Sequence, residues 1–318
     1  MVRLRPNQRW SLVILALILG SHLYCIGHAQ TQSPLQSPLQ SRLQPNGSTG
    51  PIGSASLIGN STDTRSDQDL SPRWPYVFDE SGFHFYSLVP PKVLEPQIQG
   101  VLRLPDELNQ ELGITLKGLD VHILVFDSRR SLDEYLHRYY PGLRAANSMY
   151  IRDQGPGLIL TWFHADWLVD VRHEATHALL HAKRVGIPLW IDEGLAEYFE
   201  YPSGSSSGES FAIKSHPVHT KLIHTQLRFG QFANLEEQER WDPNKRLSNQ
   251  QYRDAWGSVA FLLNHSDQSK DEFRSYVKDL LENRASGNLS YRLQQTIPDW
   301  RTAYTRYYRE HSVASSIR

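Results

Sequence analysis

The apolar positions divide this chain into three stretches. Arg3, Arg5 and Arg9 precede an apolar run, Leu12 to Leu19, and no charge appears before Gly27. Gly27-His28-Ala29 then offers small residues at the two positions a signal peptidase reads, so residues 1–29 are expected to be a secretory leader. Trp10 to Gly27 is also just long enough to span a bilayer, and an uncleaved membrane anchor is the alternative. From Gln30 to Pro72, Ser, Gln, Pro, Gly and Thr dominate, and Gln-Ser-Pro-Leu repeats at 32–35 and 36–39. A segment so poor in large apolar groups cannot offset the entropy of ordering, so residues 30–72 are predicted to be a disordered linker.

Hydrophobic patterning resumes near Trp74, and one catalytic-sized folded unit is expected over 73–312. Strands are predicted at Phe83–Val89, at the buried run Val121–Phe126, at Ser148–Arg152 and, after the turn Gly155-Pro156-Gly157, at Leu158–Phe163. Pro90 to Gly113 reads as broken helix, with Pro105-Asp106-Glu107 opening its second piece. Ser131 to Tyr140 reads as a helix with a capping box of Ser131 and Glu134, ended by Pro141-Gly142. The end of the chain is helical. Gln250–Leu263 carries a stripe of Tyr252, Trp256, Val259, Ala260 and Leu263, followed by helices at Glu272–Leu281, Tyr291–Gln295 and Trp300–Tyr308. The class is therefore α+β: a small sheet with helices, then a helical C-terminal half.

The stretch between those halves carries the chemistry. Trp167, Leu168, Val171, Ala175, Leu179 and Ala182 recur at near-helical spacing after Asp166, a candidate N-cap, and Gly186 with Pro188 closes the run. Within it stands His173-Glu174-Ala175-Thr176-His177. Residues four apart on a helix lie one above the other, so His173 and His177 present two imidazoles to one point, while Glu174 is turned toward an open coordination position. In a chain with 14 histidines the pattern alone would not decide the matter; the sequel does. If the segment Leu189-Trp190-Ile191-Asp192-Glu193-Gly194-Leu195-Ala196-Glu197-Tyr198-Phe199-Glu200 is helical from about Asp192, Glu193, Glu197 and Glu200 share one face. A short helix hairpin would then return Glu193 to the two histidines as a third ligand, as a catalytic Zn2+ site requires.

His-Glu-Ala-Thr-His followed by Trp-Ile-Asp-Glu-Gly-Leu-Ala-Glu-Tyr resembles the gluzincin zinc metallopeptidases, and most of all the exported bacterial peptidase MA-like proteins. The motif-level likeness covers roughly Trp167 to Phe199, and a weaker pattern runs from about Phe83 to Tyr308. The resemblance implies a zincin-like fold, hydrolysis of peptide bonds in a peptide or protein substrate, Zn2+ held by His173, His177 and Glu193, and Glu174 as the catalytic base. It also implies that Glu197, one turn after Glu193, supports a ligand histidine, and that a downstream tyrosine, Tyr252, stabilises the oxyanion. Packing competes with that last role, because Tyr252 also lies on a core-like stripe. The connection between His177 and Glu193 is shorter than in the best-known aminopeptidases of the group.

Rival readings are weighed on the residues. A metzincin would need Gly and His where Leu180 and Lys183 stand, whereas an aspzincin-like site using Asp192 in place of Glu193 remains open. His181 reads as a neighbour of the site or a surface residue. Glu200 is expected to be solvated. Gly204-Ser205-Ser206-Ser207-Gly208 matches the serine-nucleophile pattern in letters only, lacking the strand before and the helix after it, and is expected to be a loop. His216, His219 and His224 read as surface histidines, one of which could assist at the cleft. The strand before the metal helix is expected either to line the cleft and pair with an extended peptide or to be an ordinary internal strand. A non-catalytic metal- or peptide-binding protein on the same scaffold is the alternative function.

Composition narrows the setting. The single cysteine, Cys25, lies in the leader, and Leu23-Tyr24 before it does not suit lipid attachment. The remainder has no disulfide, no thiolate ligand and no cysteine nucleophile. The formal net charge is −1, and loss of the leader removes three arginines and no acid, so nothing recruits nucleic acid. An exported protein of the periplasm, cell envelope or medium is expected, tethered to a membrane if the leader stays.

Overall fold

The computed structural model describes residues 74–314 except 117, 144–145, 152–156, 184, 203–215, 217, 220–221, 224–225 and 227–234. The leader, the linker, the 204–208 loop and His224 lie outside the described residues.

The architecture is α+β, a five-strand mixed sheet followed by a mostly helical C-terminal half. Strands β1 (Tyr76–Glu80) and β2 (Phe83–Ser87) form an antiparallel hairpin. Its two turn residues, Ser81 and Gly82, both take positive φ (53° and 82°), as a tight hairpin turn demands. At Gly82 no side chain would fit, since a Cβ would come within 2.6 Å of the Leu119 Cβ. The chain then crosses over through α1 (Pro91–Leu102) and α2 (Leu104–Leu112) to β3 (Val121–Phe126), which pairs in parallel with β2. Helix α3 (Arg129–Tyr139) leads on to β4 (Ser148–Ile151) and β5 (Gly157–Trp162). Strand β5 inserts parallel to β3 and antiparallel to β4, so the order is β1-β2-β3-β5-β4.

Alternation along the strands builds two cores. One face sends Leu124, Phe126, Met149, Ile151, Leu158 and Leu160 against Leu132 and Leu136 of α3. The other sends Phe83, Phe85, Val121, Ile123, Val125, Tyr150 and Ile159 into the main core. That core includes Val171, Ala175 and Leu179 of α4 (Trp167–His181), and α5 (Leu189–Phe199) packs against α4. After α6 (Leu235–Gln238), helix α7 (Asn249–Asn264) packs along α5, followed by α8 (Asp267–Leu281), α9 (Leu289–Thr296) and α10 (Trp300–Ala314). Among the described residues no helix is long and apolar enough to cross a membrane.

Two expectations change, and one that was open is decided. Helix α3 is capped by Ser128, whose hydroxyl accepts from Ser131 N–H, and Glu134 instead pairs with Arg130 at 2.8 Å. Helix α5 begins at Leu189 behind Pro188, one turn before Asp192. The strand preceding α4 is not a cleft edge: β5 is paired on both sides, and the free edge beside α4 belongs to β4.

Candidate metal centre

Helix α4 is buried on nearly every side, which is why its polar residues can form a site at all. Arg172 is fully buried and locks it in place. Its Nε and Nη2 donate to the Phe199 carbonyl at 2.9 and 2.7 Å, its Nη1 donates to the Gly100 carbonyl, and its Nη2 pairs with Glu107 at 2.8 Å. One guanidinium thus fastens α4 to α1, α2 and the last turn of α5. At Gly194 a Cβ would come within 2.7 Å of the Ala255 carbonyl oxygen of α7. The bare glycine lets α7 close over α5 directly behind Glu193.

His173 Nε2 and His177 Nε2 lie 3.3 Å apart, and Glu193 Oε2 lies 3.6 Å from each. All three residues are buried. Bonds of about 2.0–2.1 Å to a tetrahedral ion hold ligand atoms about 3.3–3.4 Å apart, close to this triangle. Glu193 Oε2 is buried without a hydrogen-bond partner. Both Nδ1 atoms face carboxylates: His177 donates to Asp192 Oδ1 at 2.9 Å and His173 to Glu200 Oε2 at 3.2 Å. In its neutral form an imidazole that donates from Nδ1 has an Nε2 lone pair to offer. Two such lone pairs converging on an unpartnered carboxylate oxygen suit a cation, and His173, His177 and Glu193 form a buried triad that could hold a metal ion.

Burial alone would favour neutral groups here, but the pairing overrides it. Burial presses on the imidazoles from one side, and the carboxylates outweigh it: Asp192 and Glu193 lift His177 to about 10, and Glu193 and Glu200 lift His173 well above the usual range. Asp192 and Glu193 are held below the usual carboxylate range by the same contacts, against the effect of burial. Glu174 differs. Its Oε2 accepts from Tyr150 N–H of β4 at 2.9 Å, its Oε1 has no partner, and burial pushes it up to about 7 despite the nearby imidazoles.

The acids around the triad are arranged differently from expectation. Glu197 meets His219 Nε2 at 2.9 Å and His216 Nε2 at 3.4 Å, and one of its carboxylate oxygens lies within 4.8 Å of a His173 ring nitrogen without a hydrogen bond to it. The two carboxylates behind the histidines are Asp192 and Glu200, and Glu200 is buried rather than solvated. Each reaches a further histidine, Asp192 Oδ2 to His181 Nε2 at 3.2 Å and Glu200 Oε1 to His216 Nε2 at 3.0 Å. His216 Nδ1 accepts the backbone N–H groups of Val218 and His219, so its Nε2 carries the proton and donates. His181 and His216 are therefore buried members of the network, not surface residues. Tyr252 on α7 is partly buried, and burial, then the charges of Glu193, Glu197 and Glu174, raise its pKa above the usual phenol value.

Spacing offered Asp192 as an alternative ligand and one of His216 and His219 as an aid at the cleft, but it did not set Asp192 and Glu200 behind the two histidines. For the two histidines the one available signal was their clustering after α5. No family model matches the chain, and a search of curated proteins returns no match.

Proposed function

We propose that the protein is an exported, zinc-dependent hydrolase of peptide bonds with Glu174 as its general base. The observation carrying this reading is the free Oε1 of Glu174, buried beside a His173–His177–Glu193 triangle of tetrahedral dimensions. A structural zinc site is closed by its ligands and has no use for an extra unliganded carboxylate; a hydrolytic one requires it. The gluzincin likeness of the two motifs supports the same assignment, and the apolar leader supports export.

The donor set fits zinc: two imidazoles and one carboxylate leave a fourth position open. Bound there, zinc supplies Lewis acidity, lowering the pKa of a coordinated water toward about 7 and polarising a carbonyl. The chain's own groups perform the remaining work. The Tyr150 N–H fixes Glu174 so that Oε1 takes the proton of the attacking water and passes it to the leaving amine. A group with a pKa of about 7 can do both near neutral pH. The Tyr252 hydroxyl donates to the oxyanion as it forms. The β4 edge offers backbone groups to an extended substrate beside Glu174.

Glu174→Gln tests the reading. The amide keeps an acceptor for Tyr150 N–H but cannot take a proton. Zinc content should stay at wild-type level while cleavage of a peptide library falls on the order of 10²- to 10⁴-fold. Cleavage at the wild-type rate would remove Glu174 from the mechanism. Stoichiometric zinc with no cleavage by either protein would point to a metal- or peptide-binding protein on this scaffold.

A further inference from the structure

On the sheet face opposite α4, strands β1, β2 and β3 place Asp79, His84 and His122 in one row. The register pairs Asp79 with His84 and His84 with His122, so all three side chains leave the sheet on the same side. Asp120, just before β3, completes the group: its Oδ1 lies 3.4 Å from His84 Nε2 and 3.0 Å from His122 Nε2. His84 Nδ1 is 2.7 Å from Asp79 Oδ1. The two imidazoles stack with centroids 4.7 Å apart, and Tyr86 stacks on His122.

The proton inventory of this cluster does not close comfortably. With Nδ1–H donated to Asp79, His84 turns an Nε2 lone pair toward the Asp120 carboxylate. A cation bound between the two would take that nitrogen and that oxygen as ligands. His122 Nδ1 is buried without a partner. Among the described residues neither Asp79 nor Asp120 pairs with a lysine or arginine; their ion-pair contacts there are to these histidines.

We propose that His84, His122 and Asp120 form a second divalent-metal site of the zinc class, with Asp79 holding the His84 tautomer from behind. One ligand atom from each of the three lies within 4.8 Å of the others. The 3.0 and 3.4 Å separations bracket the tetrahedral edge of about 3.3 Å expected for zinc. Imidazole nitrogen with one carboxylate selects zinc, nickel or copper over magnesium or calcium. Asp120 is 58% exposed, so water or an external ligand fills the remaining positions, and the ion exchanges freely with solvent. The sheet separates this site from the buried triad, and neither needs the other.

Zinc titration of the full chain against a chromophoric chelator, at about pH 8 where histidine is ordinarily neutral, tests the assignment. Wild type should take up two ions per chain, and His84→Ala and Asp120→Asn one. Both substitutions are near the surface, and far-UV circular dichroism checks that each variant folds. Asp79→Asn should keep both ions but bind the second on the order of 10- to 100-fold more weakly. Equal uptake by wild type, His84→Ala and Asp120→Asn would overturn the proposal. Should the buried triad hold nothing, wild type would take up one ion and His84→Ala none, so the difference of one still decides.

Discussion

Removing Asp192 should weaken metal binding, although it touches no position where an ion would sit. Its Oδ1 receives His177 Nδ1–H at 2.9 Å and its Oδ2 faces His181 at 3.2 Å, all of it buried. Asp192→Ala strips the acceptor from His177, so the ring is free to change tautomer or rotate, and its Nε2 no longer points at the triad by default. Loss of such a supporting carboxylate costs on the order of 10- to 100-fold in affinity. That is about 1.4–2.7 kcal/mol at about 1.4 kcal/mol per decade. Glu200→Ala should behave alike through His173, somewhat more mildly because its contact is 3.2 Å. Glu193→Ala removes a ligand and should abolish stoichiometric binding. Glu197→Ala should stay within about threefold of wild type, since its partners are His216 and His219, well short of the size of a supporting-carboxylate effect. The measurement is zinc affinity by chelator competition on all four variants, with Asp192→Asn and Glu200→Gln as near-isosteric controls for folding. If Glu197→Ala loses more affinity than Asp192→Ala and Glu200→Ala, the supporting roles are misassigned. If Asp192→Ala abolishes binding while Glu193→Ala retains it, the aspartate is the ligand.

What could be read from the chain follows the range of the interactions involved. Helical spacing is local, so the convergence of His173 and His177 was legible, and the apolar run Val121–Phe126 marked β3 at its observed bounds. Strand β1 escaped because Tyr76–Glu80 is a half-exposed edge hairpin arm without a continuous apolar run or clean alternation. The Ser128 and Ser131 hydroxyls both suit a cap, and only the backbone, extended at Ser128, chooses between them. Strand order was not legible at all: β4 and β5 form a hairpin either way, and it is the parallel pairing of β5 with β3 that sends β4 to the edge. The supporting acids fall in the same category. Counting from Glu193 identifies which carboxylates share a face, but the direction of each His Nδ1 depends on how α5 is set against α4. Arg172 and Gly194 help determine that angle through contacts with residues distant in sequence. His216 and His219 arrive from beyond residues 203–215, where periodicity has nothing to say.

Two further perturbations probe the same geometry. Gly194→Ala should destabilise the fold by about 1–3 kcal/mol, visible as a lower melting temperature, because its Cβ meets the Ala255 carbonyl at 2.7 Å and Val259 Cγ2 at 2.8 Å. An unchanged melting temperature would mean that α5 and α7 are not in contact as described. The other is proton release on metal uptake. In the metal-free chain Asp192 and Glu193 lift His177 to about 10 against the effect of burial, so a proton resides in the triad throughout the neutral range. Both Nε2 atoms become ligands when the ion enters, so at least that proton must leave. The sign follows: a raised imidazole pKa stabilises the metal-free fold at low pH, that stabilisation is lost as pH rises through about 10, and metal competes ever more easily on the way. Zinc affinity should therefore rise by at least about tenfold per pH unit between about pH 7 and 9. Calorimetry in two buffers of different ionisation enthalpy should return at least one proton per ion entering the triad, measured in Asp120→Asn so that the surface cluster does not contribute. Affinity flat across that range would show the triad to be unprotonated without metal, and the carboxylates behind the histidines would then not be setting their charge.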